Sequence, residues 1–296
     1  MDIVIGSRGS DLALWQAHFV RDELESLGHQ VTIKIIHTRG DKIQHLSFDK
    51  IEGKGFFTKE IEDALLSKSI DLAVHSHKDL ETTPPNGLLI GAVSYRENPT
   101  DRLLIRKTAA DTSKTLSLPD NAVVGTSSAR RQTQIKRLCP SVNLKDLRGN
   151  VPTRIQKLRE GQYDAIILAS AGIMRLELDL SDLVEVELDP KSFVPAPAQG
   201  VLGLQIREGD TELAAVLQNM NNENVAREIG IERSVLRNLD GGCQLPLGVY
   251  CTAGENGHDV HVSFATNKTG KAHLKTYKAV NLDSIVSTVL EDLKTL

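Results

Sequence analysis

Close to the start of the chain lies the stretch IVIGSRGS, residues 3–10, which contains the signals that decide the fold. Its three apolar residues are typical of a buried strand, and the glycine and hydroxyl residues after them lead into a helix. The apolar residues that follow Ser10 recur at a mostly helical spacing up to Gly28, which is a good position for a helix C-cap. Strand, turn and helix in this order predict the repeating unit of an α/β fold.

The same layout returns further along the chain. Residues 31–36 and 72–74 are predicted to be strands, and a second helix is predicted from Thr58. At residues 122–127 the sequence AVVGTS again runs from apolar residues into glycine and hydroxyl residues, and residues 163–169 form another apolar run. This alternation predicts two α/β lobes of similar build, each with a mostly parallel sheet that has helices on its faces.

Domain boundaries follow from two segments that interrupt the pattern. Residues 96–100 and the proline-rich residues 194–200 are expected to connect the lobes. Paired connections make the first lobe discontinuous, over residues 1–95 and 197–216, and leave residues 100–191 to the second lobe. From residue 219 onwards, a helix and short strands joined by Gly, Asn and Asp predict a small α+β domain with an antiparallel sheet, residues 219–296.

Composition argues for a globular protein and against a general nucleic-acid binder. Of the 296 residues, 40% are hydrophobic and 25% are charged, and the formal net charge is −4, whereas nucleic-acid binders usually carry a basic surface. The three cysteines, Cys139, Cys243 and Cys251, are too sparse for a disulfide framework and indicate a reducing compartment. Because no signal sequence or membrane span is visible, we expect a cytoplasmic protein.

Arginines stand beside glycine and hydroxyl residues where the predicted strands end. Arg8 precedes a helix whose N-terminus offers unpaired N–H groups to an anion, although Ser10 equally fits a plain N-cap. Arg130 and Arg131 stand together at a helix start, where acidic residues are preferred, and are therefore expected to meet an anion. Three further guanidinium groups lie near predicted loops: Arg148, Arg154 and Arg175.

The ligand of these arginines is expected to carry several carboxylates. The sequence has no GxxxxGK[ST] loop and no GxGxxG after a strand, so a nucleotide is not favoured. Arginine pairs with carboxylates in a bidentate geometry. At this point the residues favour a two-lobed protein that binds a polyanion.

The sequence HSHKD at residues 75–79 ends the third predicted strand, where α/β sheets usually bind their ligands. Strand alternation predicts that His75, His77 and Asp79 share one side. Zinc binding by the two histidines is disfavoured, because no further His or Cys pair at ligand spacing accompanies them. Asp79 is a candidate for charge stabilisation or proton transfer, or else a capping aspartate.

Two glycine-rich loops carry the remaining candidate residues. The sequence GKGFFTK at residues 53–59 is basic and leads into a helix, as either a lid or a solvated turn. The sequence DGGCQLP at residues 240–246 exposes the thiol of Cys243 on a sterically bare loop. The thiol leaves open two alternatives of different classes: a cysteine-dependent hydrolase with a histidine base, or a non-catalytic carboxylate-binding module that does not use it.

Taken together and in order, these segments resemble the porphobilinogen deaminase family over nearly the whole chain. The resemblance rests on SRGS at 7–10, LALWQA at 12–17, TRGD at 38–41, GKGFFTKEIE at 53–62, AVHSHKD at 73–79, VGTSSARRQ at 124–132, RGNVPTR at 148–154, YDAIILASAG at 163–172 and GGCQLPLG at 241–248. It implies three domains, of which the first two resemble the lobes of periplasmic binding proteins.

The resemblance also implies the reaction. The expected enzyme is a transferase of tetrapyrrole and haem biosynthesis, a hydroxymethylbilane synthase that acts as a monomer. It joins four porphobilinogen molecules head to tail with loss of ammonia on a dipyrromethane cofactor, and water then releases linear hydroxymethylbilane. The cofactor is bound through a thioether to the cysteine that matches Cys243.

Site residues are implied by position in the matching motifs. Asp79 matches the catalytic aspartate, which stabilises positive charge near the pyrrole nitrogen. The implied cofactor-binding residues are Cys243, Lys78, Asp79, Ser128, Arg130 and Arg131. The implied substrate-binding residues are Arg8, Ser10, Lys54, Lys59, Thr126, Arg148, Arg154, Arg175 and Gln199. No metal is implied. One departure is His77, which stands where the family usually has Met; we hypothesise that it shifts the pH dependence of turnover.

Overall fold

The computed structural model describes residues 1–38, 58–239, 245–254, 257–279 and 284–295 of the chain. Its strands are β1 (Asp2–Ser7), β2 (Gln30–Ile35), β3 (Leu72–Ser76), β4 (Leu88–Val93), β5 (Asp101–Arg106), β6 (Val123–Gly125), β7 (Asn143–Lys145), β8 (Ala165–Ala169), β9 (Leu183–Leu188), β10 (Leu202–Arg207), β11 (Leu247–Gly254), β12 (Gly257–Phe264) and β13 (His273–Ala279). Its α-helices are α1 (Asp11–Ser26), α2 (Lys59–Leu66), α3 (Ala129–Leu138), α4 (Val151–Arg159), α5 (Ser170–Arg175), α6 (Thr211–Leu217), α7 (Glu223–Asn238) and α8 (Ile285–Leu293).

The chain divides into two compact units. The first comprises Met1–Glu97 and Gly200–Arg227, and the second comprises Asn98–Gln199 and Glu228–Leu296. The chain therefore passes between the units within residues 96–100, again within residues 194–200, and a third time along α7. No helix among the described residues has the length and hydropathy needed to cross a membrane.

The first unit is built on a five-stranded sheet in the order β2-β1-β3-β10-β4. Strands β1, β2 and β3 are parallel, and β10 is antiparallel to both β3 and β4, so four of the five strands point the same way. Helix α1 buries Ala17, Val20 and Leu24 against this sheet, and it ends before Gly28, whose φ is +87°. This arrangement confirms the predicted mostly parallel sheet with packed helices.

The second unit contains a similar sheet and a smaller one. Its five-stranded sheet has the order β7-β6-β8-β5-β9, in which β5 is antiparallel to β8 and β9. The strands β11-β12-β13 form a three-stranded antiparallel sheet. Apolar residues of α7 and α8, among them Val235 and Val289, pack with this sheet in one buried cluster. The predicted α+β element with an antiparallel sheet is confirmed.

The connecting segments are held closely within each unit. In the first unit, the Glu97 N–H donates to the Gly200 carbonyl over 3.1 Å. Gly200 has a φ of +91°, and a Cβ at this position would lie 2.3 Å from the Glu97 carbonyl oxygen. In the second unit, Ala198 has a φ of +62°, and its N–H donates over 2.7 Å to the buried carboxylate of Glu232 on α7. Gly200 is thus fixed by close backbone packing, and the left-handed Ala198 is held by a hydrogen bond to a buried side chain.

Candidate functional site

The carboxyl ends of three neighbouring strands define one edge of the second unit's larger sheet. Strands β7, β6 and β8 are adjacent and parallel, and each is followed by a helix: α4 after β7, α3 after β6 and α5 after β8. Because β5 runs the opposite way, its first residue, Asp101, pairs with Ala169 at this same edge. Carboxyl edges of parallel sheets are where α/β proteins usually bind ligands.

Predicted site residues of the second unit follow these strand ends. Thr126 and Ser128 lie between β6 and α3, and the Ser128 N–H donates to Thr126 Oγ1 over 3.3 Å. Arg148 precedes α4, and Arg154 on α4 donates from Nε to the Gly149 carbonyl over 2.7 Å. The last residue of α5 is the buried Arg175. The topology therefore brings residues from three separate motifs to helices that start at one sheet edge.

Arg130 and Arg131, at the start of α3, both contact one buried carboxylate. Arg130 Nη1 lies 2.6 Å from Asp101 Oδ2, and Arg131 Nη2 and Nε lie 2.7 and 3.1 Å from Asp101 Oδ1. Arg130 Nη1 also donates to the Val194 carbonyl over 2.9 Å, and Arg131 Nη1 to the Ile167 carbonyl over 3.0 Å. In this structure the anion that these arginines meet is thus a side chain of the protein.

All three charged side chains are removed from water. Asp101 is fully buried, and Arg130 and Arg131 are only 4% and 6% exposed. Burial alone raises the pKa of the Asp101 carboxyl, but the charges of both arginines and their hydrogen bonds outweigh it, so that the pKa lies well below its usual value. With Asp101 ionised between two guanidinium groups, the three side chains carry a net charge of about one positive unit.

Gln199 belongs to the same buried group. Its side chain is fully buried, and Nε2 lies 2.8 Å from the Pro99 carbonyl, 3.2 Å from the Thr100 carbonyl and 3.1 Å from Asp101 Oδ1. These contacts join the two segments that connect the units. They place the amide nitrogen in the interior beside Asp101.

The first unit carries its predicted site residues at the carboxyl ends of β1 and β3. Arg8 and Ser10 follow β1, and Ser10 caps α1 by accepting from the Ala13 N–H over 3.4 Å. Lys78 and Asp79 follow β3; Lys78 is partly buried and Asp79 is exposed. Lys59 is an exposed first residue of α2.

The predicted alternation through residues 75–79 is wrong. Strand β3 ends at Ser76, and His77–Asp79 form a 3-10 turn, in which side chains no longer alternate with a period of two. His75 and His77 are both buried, at 7% and 5% exposed, whereas Asp79 does not share their side and is exposed. The end of the strand is fixed by Gln16 on α1, whose Nε2 donates to Ser76 Oγ over 2.9 Å.

Sequence reasoning missed a buried polar chain behind β3. His75 Nε2 lies 3.1 Å from Gln205 Oε1, and Gln205 Nε2 donates to Glu62 Oε1 over 3.2 Å. Thr58 Oγ1 lies 3.4 Å from the other Glu62 oxygen. Burial, reinforced by nearby Arg8, lowers the pKa of His75 to about 4, and burial likewise raises the pKa of Glu62. His75 is therefore neutral at pH 7; its place in an otherwise apolar strand was the available sequence signal.

Two predicted residues, Lys54 and Cys243, lie outside the described residues. Cys139 and Cys251 are buried; Cys139 follows the last residue of α3, and burial raises the pKa of its thiol. The described ranges contain no group of three or more His, Cys, Asp or Glu side chains that could hold a metal ion.

Comparison with protein families gives two consecutive matches. The family model described as "Porphobilinogen deaminase, dipyromethane cofactor binding domain" matches residues 3–215. The model described as "Porphobilinogen deaminase, C-terminal domain" matches residues 226–282.

Curated relatives carry the same name. A porphobilinogen deaminase of a Nitratiruptor species is 46% identical over 258 residues, which cover 86% of this chain and 80% of the relative. That of Gloeobacter violaceus is 45% identical, with 86% of this chain and 78% of the relative covered.

Solved structures with a similar arrangement are more distant in sequence. The periplasmic VFT2 domain of Bordetella pertussis BvgS is 14% identical with a TM-score of 0.44, and the alignment covers 78% of this chain and 93% of that one. An ancestral arginine-binding protein bound to glutamine is 16% identical with a TM-score of 0.40, covering 77% and 96%.

Proposed function

This chain belongs to the porphobilinogen deaminase family, and from that premise we propose how its own residues carry the family's reaction. Its activity is that of a transferase in tetrapyrrole biosynthesis, and residues 3–215 match the domain that binds the dipyrromethane cofactor. A non-catalytic carboxylate-binding module and a cysteine hydrolase are therefore set aside.

The observation that carries the proposal is the pair of buried guanidinium groups of Arg130 and Arg131 at the carboxyl ends of β6 and β8. This pair fits a group that bears carboxylate arms, because guanidinium groups bind carboxylates through paired N–H donors and more strongly where water is excluded. Ser128 is the N-cap residue of α3, and because its side chain makes no capping hydrogen bond, it adds a hydroxyl at the same edge. We assign the cofactor to these residues together with Lys78, Asp79 and, through a thioether, Cys243.

The dipyrromethane, when bound, supplies the pyrrole carbon to which porphobilinogen is joined with loss of ammonia. Cys243 would hold it through a thioether, a bond for which a thiolate has the required nucleophilicity. Asp79 lies exposed at the end of β3, next to Lys78, and its carboxylate stabilises the positive charge that develops on the pyrrole as ammonia leaves. Lys78 supplies a cation for the carboxylate arms.

Substrate carboxylates are assigned to the remaining cations and hydroxyls. Each porphobilinogen brings an acetate and a propionate arm, so a growing chain of pyrroles requires many cationic partners. We propose that they are supplied by these residues: Arg8, Ser10, Lys54, Lys59, Thr126, Arg148, Arg154 and Arg175. For Gln199 the buried contacts to Pro99, Thr100 and Asp101 favour a positioning role over direct substrate contact.

We further propose that the protein works as a cytoplasmic monomer of three domains and binds no nucleic acid. The two α/β sheets and the separate antiparallel sheet support the three-domain division, and the net charge of −4 supports the absence of a nucleic-acid partner. Sedimentation of the purified protein tests the monomer: a single species well above 32.4 kDa contradicts it.

Porphobilinogen turnover tests the catalytic assignment. Asp79→Asn is expected to lower kcat at least about 100-fold, because the neutral amide no longer stabilises developing positive charge. Asp22→Asn, at another exposed aspartate of the first unit, is the matched control and is expected to leave kcat unchanged. Equal turnover by Asp79→Asn and the control refutes the role of Asp79.

Intact mass under denaturing conditions tests the anchor. The wild-type protein is expected to exceed its sequence mass by a two-pyrrole group, and Cys243→Ser is expected to lack that increment. An active wild-type preparation at the bare sequence mass refutes the covalent attachment.

A further inference from the structure

Asp101, Arg130, Arg131 and Gln199 form a closed hydrogen-bonded group, here termed the Asp101 cluster. Asp101 Oδ1 accepts from Arg131 Nε and Nη2 and from Gln199 Nε2, and Asp101 Oδ2 accepts from Arg130 Nη1. Each of these four residues is at most 6% exposed. One carboxylate thus fixes the orientation of two guanidinium planes and one amide.

The contacts of the cluster engage some, but not all, of the N–H donors of each guanidinium group. An arginine has five N–H donors in a planar fork. Within the described part of the chain, the contacts above engage three of these donors on Arg131 and two on Arg130. Because the engaged donors fix each plane, the remaining donors have set directions before any ligand arrives.

The position of Asp101 supports this role. It is the first residue of β5, directly after the segment that connects the two units, and it pairs with Ala169 and Leu188 of the neighbouring strands. A central strand is a rigid support, so the carboxylate is held by the backbone rather than by a flexible loop. The opposite end of β5 carries Arg106, whose Nη2 lies 2.9 Å from Asp164 Oδ1. The same sheet therefore has a second aspartate–arginine pair at the edge away from the candidate site.

We propose that Asp101 is a positioning residue for the reaction: it touches no substrate but holds Arg130 and Arg131 in the orientation in which they bind the carboxylates of the cofactor. This proposal rests on the assignment of these two arginines to cofactor binding. Gln199 acts with Asp101, because its amide nitrogen donates to the same oxygen as Arg131 and links both connecting segments to the carboxylate.

Porphobilinogen kinetics of Asp101→Asn test the proposal, with the cofactor-bearing fraction taken from the intact mass. The near-isosteric amide removes the charge and replaces an acceptor by a donor that faces a guanidinium group. We expect kcat/KM per cofactor-bearing molecule to fall at least tenfold. Asp164→Asn is the matched control: it breaks the pair at the other end of β5, and we expect it to lower the unfolding temperature while kcat/KM stays within twofold of wild type.

A double-mutant cycle separates positioning from general destabilisation. The double variant Asp101→Asn/Arg131→Lys is compared with the two single variants. If Asp101 acts through Arg131, the double variant loses at most about threefold more kcat/KM than the single variant with the larger loss. If the two losses multiply, Asp101 acts independently of Arg131 and the proposal is refuted. A kcat/KM for Asp101→Asn within twofold of wild type also refutes it.

Two further variants cover the remaining outcomes. Should Asp101→Asn fail to fold, Gln199→Met removes one donor to Asp101 but keeps all three charges, and a threefold to tenfold fall in kcat/KM supports the cluster's role. No change in that variant refutes it. If Arg131→Lys keeps wild-type kcat/KM, the premise that Arg131 binds the cofactor fails, and the proposal fails with it. The family activity is tested separately, because it is supported by turnover of porphobilinogen by the wild-type protein.

Discussion

Protonation of His75 is expected to destabilise the first unit as the pH falls. The imidazole is buried in β3, and its pKa in the folded protein is about 4 rather than 6.5, because burial disfavours the charged ring and Arg8 adds repulsion. Above pH 6.5 the ring is neutral in both the folded and the unfolded chain. Between pH 6.5 and 4 only the unfolded chain takes up the proton, so stability falls as the pH falls through this window.

The size of the effect follows from the two pKa values. Their difference is roughly 2.5, and at about 1.4 kcal/mol per pKa unit the full loss is about 3.5 kcal/mol, of which about 2.5 kcal/mol is reached by pH 4.5. His75→Gln removes the titration and keeps an amide that can donate towards Gln205. The stability difference between wild type and His75→Gln is therefore expected to shrink by about 2.5 kcal/mol between pH 7.5 and 4.5.

Urea unfolding followed by tryptophan fluorescence is the appropriate assay. Trp15 is the single tryptophan of the chain and lies on α1 of the first unit, so its emission reports the unit that contains His75. His18→Gln makes the same chemical change at an exposed position of α1 and serves as the control. A difference between wild type and His75→Gln that stays constant within about 0.5 kcal/mol over this pH range refutes the reasoning.

Two further substitutions test the packing of the connecting segments. Gly200→Ala is expected to lower the free energy of unfolding by at least about 1 kcal/mol more than Gly209→Ala does. The two glycines have similar φ values, +91° and +85°, but of the two only Gly200 would bring its new Cβ against a carbonyl oxygen, at 2.3 Å. Equal unfolding temperatures of the two variants contradict this. Glu232→Gln is expected to cost about 1–3 kcal/mol, because its two oxygens accept the N–H groups of Ala198 and Cys251 and an amide offers only one acceptor. Chemical denaturation beside the exposed control Glu208→Gln measures this cost, and an equal effect of the two variants contradicts it.

Much of the fold was predictable because its signals are local. The helix from Thr58 begins at Lys59, and α1 ends just before Gly28, because capping and the switch from helical to strand spacing depend on neighbouring residues. The alternation predicted for residues 75–79 failed at Ser76, where the chain leaves the sheet. The pattern of five residues does not contain the distant contacts at the end of β3, which are the pairing of Ser76 with Leu202 of β10 and the hydrogen bond from Gln16.

The candidate site likewise has residues that local sequence predicts and residues that it does not. The arginines and hydroxyls after each strand were predictable, because the turn after a strand and the start of the next helix are adjacent in sequence. Asp101 was not identified as a site residue, although Arg130 and Arg131 were, because the contacts span 29 and 30 residues along the chain. The Glu62–Gln205–His75 chain was missed for the same reason, since Gln205 is 130 residues from His75.

The sequence by itself determined the two α/β lobes, the small antiparallel sheet and the family, because period, caps and motif order are properties of neighbouring residues. The tertiary structure alone decided that Arg130 and Arg131 share one buried carboxylate, that Gln199 is interior and that Asp79 is exposed. Those outcomes depend on which distant strands pair and which side chains lose water. A charge that appears alone in the sequence acquires its partner, and with it its pKa and orientation, only when the chain has folded.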